Sequence, residues 1–504
     1  MESATHRALQ IPEVLHEIFS KLGAQQNSPV NLPFGTYETV NGAAIAHEHQ
    51  HTLGALARCC RGFSDPALDV LWEYMGSLIP LFKVLGLKRG DNDNYYLSRS
   101  ITPSRWARFE LYARRMRHLK CDNYGEEVDD VVFLRVAQCL QGRPLLPSLH
   151  SLTFPFSAQL FHLASPSLKR LDLSAGDHQS EKDGDAAISE WIAESSDQLE
   201  DLTATTESSL FILPTIGRFN TLRRLELWFD SWPPLDPHIV NKVFTLRSLV
   251  ELTLILSKTL KRPSTPLSIV TDMHDLRKLV LSGPLFYIRH ALTCAARAPL
   301  ASLGIYLHKD HIGDFKNSLN PMLFPWRGTL RSLSLGEFEP AGLLQDLTVI
   351  EPFFELRKLR EFFFNPAVPI DFCDKDLLVV AKAWPEMEML KLDGKSSIDT
   401  PRATLAALQS FALWCPKLRS LCLHLGVAHV LSSPRVMSHR LHHLTIYPNI
   451  DGDPVVIARY IDALFPSLLS VTSQHRYKET EVERMVKQFQ MVRDEDVWRR
   501  NMVH

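Results

Sequence analysis

Read for apolar and polar positions, most of the chain repeats one short phrase: an apolar residue, two others, then an apolar–x–apolar triplet. It stands at Leu149-Leu152-Phe154, Leu168-Leu171-Leu173, Leu222-Leu225-Leu227, Leu249-Leu252-Leu254, Leu276-Leu279-Leu281 and Leu300-Leu303-Ile305. It continues at Leu330-Leu333-Leu335, Leu359-Phe362-Phe364, Met387-Leu390-Leu392, Leu418-Leu421-Leu423 and Leu441-Leu444-Ile446. Weaker copies are Met116-Leu119-Cys121, Leu199-Leu202 and Leu468-Val471. From Leu149 to Leu468 the first position advances in twelve steps of about 27 residues. The triplet alternates with period two, which predicts a strand with one buried face. One such strand cannot bury its own face, whereas stacked neighbours can. Between the strands, helical patterns fall at 186–193, at 401–414 with Leu405, Leu408 and Leu413, and after Asp453-Pro454, where Val455, Val456, Ile457, Tyr460, Ile461 and Leu464 follow.

Strand plus helix at this period resembles the longer, ribonuclease-inhibitor-like class of leucine-rich repeat. The resemblance implies an α/β solenoid with parallel strands on a concave face and helices on a convex one. That family usually places Asn or Cys a few residues after the last leucine. Here those places hold Ser157, Asp230, Ser257 and Gly426, with Asn449 a rare match. Repeat lengths run from 19 residues (Leu149 to Leu168) to 31 (Leu168 to Leu199), so an irregular arc is expected.

Ahead of the repeats the period changes. Ile11, Val14, Leu15, Ile18, Phe19 and Leu22 share one helical face, with Pro12 in the first turn, Glu13 at the positive helix end and Gly23 as the stop. A second helix is predicted over 52–63, with Leu53, Leu56, Ala57, Cys60 and Phe63 on one face. A third is predicted to open at Asp65-Pro66 and to carry Leu68, Leu71, Trp72 and Met75. These residues resemble an F-box. Its opening pattern, Leu-Pro-x-Glu-Ile/Val-Leu-x-x-Ile-Phe-x-x-Leu, is matched nearly throughout by Ile11 to Leu22. Its later half is matched by Leu53, Leu56, Ala57, Cys60, Arg61, Phe63, Leu71 and Trp72.

F-box proteins dock onto the Skp-type adaptor of cullin–RING ubiquitin ligases. By that resemblance Pro12, Val14, Leu15, Ile18, Phe19, Leu56, Cys60, Phe63, Leu71 and Trp72 supply the adaptor-binding face or the packing behind it. A core this small gains stability from a partner that covers its remaining apolar surface. The family has a short loop between the first two helices. Here 23–52 is an insert containing Pro29, Pro33, Gly35 and Gly42, at little extra cost in closure entropy. The expected organisation is a helical module at 1–80, a connecting segment at 81–115, the solenoid at 116–473 and a capping helix at 474–504. In that cap Val482, Met485, Phe489 and Val492 face inward.

Composition narrows the function. The net charge of -2 offers no bulk attraction to nucleic acid or to anionic membranes, and neither partner is expected. Eight scattered cysteines have neither disulfide-rich nor Cys-x-x-Cys spacing. Met1–Gln10 lacks a leader-like apolar run, which together with the cysteines leads us to expect the cytoplasm, the nucleus or both. His47-Glu48-His49-Gln50-His51 matches a zinc-hydrolase helix pattern, but no third ligand is evident. No metal or cofactor is expected from it. A basic, aromatic stretch with Arg105, Trp106, Arg108, Phe109, Tyr112, Arg114, Arg115, Arg117 and Lys120 reads as a capping helix.

Alternate strand positions project onto the concave sheet, where a client protein is expected to bind. The candidates are Arg224, Glu226, Trp228, Tyr306, Phe363, Lys391, His424 and Tyr447. The expectation is a non-catalytic, substrate-recruiting subunit of a ubiquitin ligase. The competing expectation is a leucine-rich-repeat scaffold that joins no ligase.

Overall fold

A computed structural model of the chain describes residues 11–23, 47–90, 94–121, 128–173, 185–205, 207–229, 235–256, 260, 262–269, 273–307, 322–336, 347, 350–366, 371–393, 401–426, 436–447, 453–472 and 481–502. Two compact units make it up, Met1–Asp230 and Ser231–His504.

The first unit opens with helices α1 (Pro12–Gly23), α2 (His47–Cys59) and α3 (Arg61–Glu73). Strand β1 (Tyr74–Met75) follows α3 without a loop. Then come α4 (Ile79–Leu85), an antiparallel pair of β2 (Leu87–Arg89) and β3 (Tyr95–Leu97), and α5 (Pro103–Ala113). Strands β4 (His118–Lys120), β5 (Ser151–Thr153), β6 (Arg170–Leu173), β7 (Asp201–Ala204) and β8 (Arg224–Trp228) complete the unit, with α6 (Asp130–Leu140) after β4. From β4 to β8 each strand pairs in parallel with the next, and β1 pairs with β4.

The second unit carries β9 (Glu251–Ile255), β10 (Lys278–Gly283), β11 (Ser302–Leu307), β12 (Ser332–Gly336), β13 (Glu361–Asn365), β14 (Met389–Leu392), β15 (Ser420–His424), β16 (His443–Tyr447) and β17 (Ser470–Thr472). Again each is parallel to the next. One inward register runs Leu252, Leu279, Leu303, Leu333, Phe362, Leu390, Leu421, Leu444 and Val471, all buried. Each such side chain contributes about 1.5–3 kcal/mol by leaving water. All the apolar triplets become strands, the weak copies at β4, β7 and β17 included. The fold is an α/β leucine-rich-repeat solenoid.

In place of the family's Asn or Cys after the strand, several repeats are tied to the one before by a side chain that precedes the strand. Ser167 Oγ donates to the Pro147 and Leu149 carbonyls at 2.9 and 2.8 Å. Thr221 Oγ1 donates to those of Asp197 and Leu199 at 3.0 and 2.8 Å. In the second unit the ties include two indoles, Trp326 to the Ala298 carbonyl at 2.8 Å and Trp384 to that of Phe353 at 3.3 Å, as well as Cys415 to the Ala381 carbonyl at 3.3 Å and His439 to that of Cys415 at 2.8 Å. These bonds link side chains of one repeat to backbone carbonyls of the repeat before it.

Three sequence expectations need correction. First, α2 stops at Cys59, and Cys60, extended at φ -156°, is the N-cap of α3. Phe63 and Ser64 donate their amides back to its carbonyl, so α3 starts ahead of Asp65 and takes Pro66 inside it. Second, the helix expected over 401–414 covers only Ala407–Trp414. Two carboxylates of the preceding repeat capture the backbone before it: Asp371 accepts from the Arg402 amide at 2.8 Å and Asp374 from the Thr404 amide at 2.6 Å. Third, in the C-terminal helix (Glu481–Met502) Val482 and Val486 are buried and Val492 is exposed. There the inward contacts turn polar: Gln490 donates to the Leu468 carbonyl at 2.9 Å and Arg493 to that of Pro466 at 3.0 Å.

Candidate functional site

Two surfaces hold the residues singled out from the sequence. The first is the α1–α3 module. Its core is Leu15 and Phe19 from α1, Leu53 from α2, and Ala67 and Val70 from α3. Leu56, Phe63 and Leu71 pack against that core half-buried, and Phe19 meets Phe63 edge-on at 5.6 Å between ring centres. Val14 is half-buried, while Pro12 and Cys60 are exposed. Ile18 is 44% exposed and Ile11 45%, so an apolar strip stays open on α1. Trp72 stacks on Tyr112 of α5 with centroids 4.5 Å apart and planes 8° from parallel. Below it Arg115 grips Asp65 at 2.7 Å and also Asp69. The proposed docking residues therefore divide into an exposed set on α1 and at Cys60 and a buried set that shapes the module. The insert residues 24–46 lie outside the described residues.

The second surface is the open face of the sheet. Arg224, Glu226, Trp228, Tyr306, Phe363, Lys391, His424 and Tyr447 all occupy its outward register, Arg224 exposed and the others half-buried. They do not form one cluster. In the first unit Arg224 pairs with Asp201 at 2.9 Å, and Trp228 Nε1 donates to Glu226 at 2.6 Å. In the second unit the Tyr306 ring lies so close over Gly336 that a Cβ there would sit 2.8 Å from it, and its hydroxyl meets Ser334 Oγ at 2.9 Å. Ser334 is in register with Phe363, and Phe363 with Lys391.

Beyond Phe363 comes a charged group. Asp393 stands 3.3 Å from Lys391 Nζ and 3.5 Å from His424 Nε2, an ion-pair distance rather than a short hydrogen bond. Burial pushes the Asp393 carboxyl up, but contact with His424 and Lys391 outweighs it and holds the group below the usual carboxylate range. The His424 side chain is only 7% exposed and packs on the Tyr447 ring at 5.4 Å. Tyr306, Phe363, Lys391, His424 and Tyr447 thus form a stripe of aromatics with one compensated charge group, a composition typical of protein-binding hot spots.

The remaining motifs resolve structurally. In the basic segment Trp106 packs on Phe109, Phe109 stacks near Phe82, and Arg105 donates to the Leu85 carbonyl. The histidine-rich segment forms the first turn of α2. Among the described residues no group of three or more His, Cys, Asp or Glu is placed to hold a metal ion. No described helix is long and apolar enough to cross a membrane.

Sequence reasoning missed β1, the hairpin of β2 and β3, and the Arg115–Asp65–Asp69 joint. The only sequence signal for the joint is an arginine-rich helix end facing two aspartates about fifty positions earlier.

No known family profile matches the chain, and no curated protein matches it. Solved structures are similar at low identity. A leucine-rich-repeat protein of Leptospira interrogans is 14% identical over 67% of this chain and 74% of its own, with a TM-score of 0.34. A chain of the yeast Rad7–Elc1 complex is 15% identical over 70% of this chain and 88% of its own, also at 0.34. A chain of the TLR13–ssRNA13 complex is 14% identical over 72% and 61%, again at 0.34. Likenesses this distant carry no functional argument. The repeat class rests on the strands and registers described above.

Proposed function

We propose that this protein is the substrate-recruiting, F-box-type subunit of a cullin–RING (SCF-type) ubiquitin ligase. The α1–α3 module holds the Skp-type adaptor and the open sheet face holds a client protein. The chain itself performs no chemistry. Transfer is promoted by proximity, as the client's lysines are held at high effective concentration near the charged ubiquitin carrier. The working compartment on this reading is the cytoplasm, the nucleus or both.

The observation that carries the proposal is the exposed apolar strip on α1. Ile11 and Ile18 are nearly half exposed on a module whose own core is built from five buried side chains. A partner that covers the strip removes apolar surface from water at about 25 cal/mol per Å².

The test is co-purification of the full chain with a Skp-type adaptor. The I18D variant changes the exposed strip and spares the core, and should lose the adaptor while keeping its circular dichroism and melting temperature. If wild-type protein binds no adaptor, or I18D binds as well as wild type, the ligase reading fails. A stable protein that captures clients without the adaptor would then be a ligase-independent scaffold.

A further inference from the structure

We propose that the open sheet face of β1, β4, β5 and β6 is a binding site for an acidic peptide segment, held by Arg117 and Arg170 beside the Tyr74–His118 stack. The site rests on the reading that the open face receives the client, and it assigns that client a chemistry.

The geometry follows from the strand register. Tyr74 is in register with His118, His118 with Ser151, and Ser151 with Arg170. The Ser151 and His150 amides both donate to the Arg117 carbonyl, at 3.1 and 2.8 Å, so Arg117 enters the sheet one position ahead of His118. Arg170 lies two strands from His118, about 10 Å at the usual strand spacing. Between them stands the small side chain of Ser151. On the other side of His118, the Tyr74 ring is stacked at 4.2 Å with planes 11° apart. The result is a flat aromatic platform flanked by two guanidinium groups.

Neither arginine of the platform carries an ion pair among the described residues, unlike Lys169 and Arg224 beside them. Elsewhere around the sheet, cations meet carboxylates from an adjacent repeat: Lys169 with Glu200, Arg224 with Asp201, Lys278 with Glu251 and Arg360 with Glu388. Arg170 is in register with Asp201, but Asp201 is engaged by Arg224. Among the described residues neither Arg117 nor Arg170 has a side-chain ion pair or hydrogen bond.

Glu73, beside Tyr74, acts on the Tyr74 hydroxyl, and Asp172 lies two positions beyond Arg170 on β6. The surrounding field is registered by His118 itself. Burial, then Arg170, His150 and Arg117, lower its pKa to about 4. Guanidinium groups form bidentate hydrogen bonds with carboxylates and stack well on aromatic rings. Two of them beside one aromatic stack suit acidic side chains on one extended segment. A phosphoryl group shares the anionic chemistry, and the experiment distinguishes it.

Fluorescence anisotropy of labelled hexaglutamate on the purified full chain, without adaptor, tests the site. Wild-type protein should bind hexaglutamate at low salt, at least tenfold more tightly than hexaglutamine, and lose affinity as salt rises. The R117Q/R170Q variant should keep the wild-type fold by circular dichroism and bind at least tenfold more weakly. Y74A should weaken binding while both arginines remain. Displacement of hexaglutamate by millimolar inorganic phosphate would assign the site to phosphoryl groups within the same anionic class. Unchanged affinity in the folded double variant overturns the proposal. So does binding to phosphatidylserine vesicles without binding to hexaglutamate. Because no adaptor is present, failure here is separate from failure of the ligase reading.

Discussion

The α1–α3 module and the repeat array solve the problem of burial differently. The module closes on Leu15, Phe19, Leu53, Ala67 and Val70 and leaves Ile11 and Ile18 in water. The array buries every leucine of its triplets and then adds Ser167, Thr221, Trp326 and Trp384 as bonds to the preceding repeat. An array can grow its core by adding repeats, whereas three short helices cannot. The array also leaves apolar side chains in water, Trp414 and Leu469 among them, but it has a large core to spare; the contrast teaches that a partner covering apolar surface would stabilise most where the local core is smallest.

The comparison can be broken from its strong side first. W384A removes a buried ring packed at 4.8 Å on Phe362, together with its hydrogen bond to the Phe353 carbonyl. It should cost about 3–5 kcal/mol in denaturant unfolding. A loss below about 1 kcal/mol would show that the array tolerates cavities as easily as a loose module. F19A should cost about 3 kcal/mol, the low end for such a side chain, with the damage confined to the module. Hydrogen exchange should speed up in 11–23 and 47–73 while the amides of β10 to β15 keep their protection. Spread of the effect into those strands would mean that module and array are not separable.

I18D should move stability by no more than about 0.5 kcal/mol, as expected of an exposed position. A larger loss would place Ile18 in the module's core rather than on its open strip.

The smallest effect is a pH dependence. The folded state lowers the His118 pKa from 6.5 to about 4, so in that window the unfolded chain binds more protons. Stability should fall as pH drops from 6.5 towards 4, and H118Q should flatten part of that slope in thermal melts. An identical slope in H118Q would remove His118 as the cause. Because the group is partly exposed, solvent screening keeps this effect modest.

Much of the array was legible because its signal is local and repeated. Each triplet states which side chains point inward, and stacking fixes the partner strand. The outward residues were therefore legible too, down to Tyr306, His424 and Tyr447. Their partners were not. Asp393 meets Lys391 and His424 only because β14 and β15 stand side by side. The bonds between repeats also escaped the sequence, because serine, threonine and tryptophan share no recognisable residue pattern. The start of α3 was misjudged for a different reason. Asp65-Pro66 is a sound local start signal, but the chain already turns at Cys60, where its carbonyl accepts from Phe63 and Ser64. The missing helical turns before Ala407 have a tertiary cause, since Asp371 and Asp374 come from the preceding repeat.

The C-terminal helix has a consequence for assembly. In the first unit, the carbonyl of a repeat's first leucine and the one two residues before it accept from the next repeat, at Pro147 and Leu149 and at Asp197 and Leu199. At Pro466 and Leu468 the donors are instead Gln490 and Arg493. The helix thus counterfeits a further repeat while presenting the exposed Met491 and Val492, residues that could not continue the strand register. It works as a chain terminator for a lattice that would otherwise accept another copy of itself. A protein cut after Thr472 would lose the bonds that Gln490 and Arg493 make to Pro466 and Leu468, and association through the end strand β17 should follow.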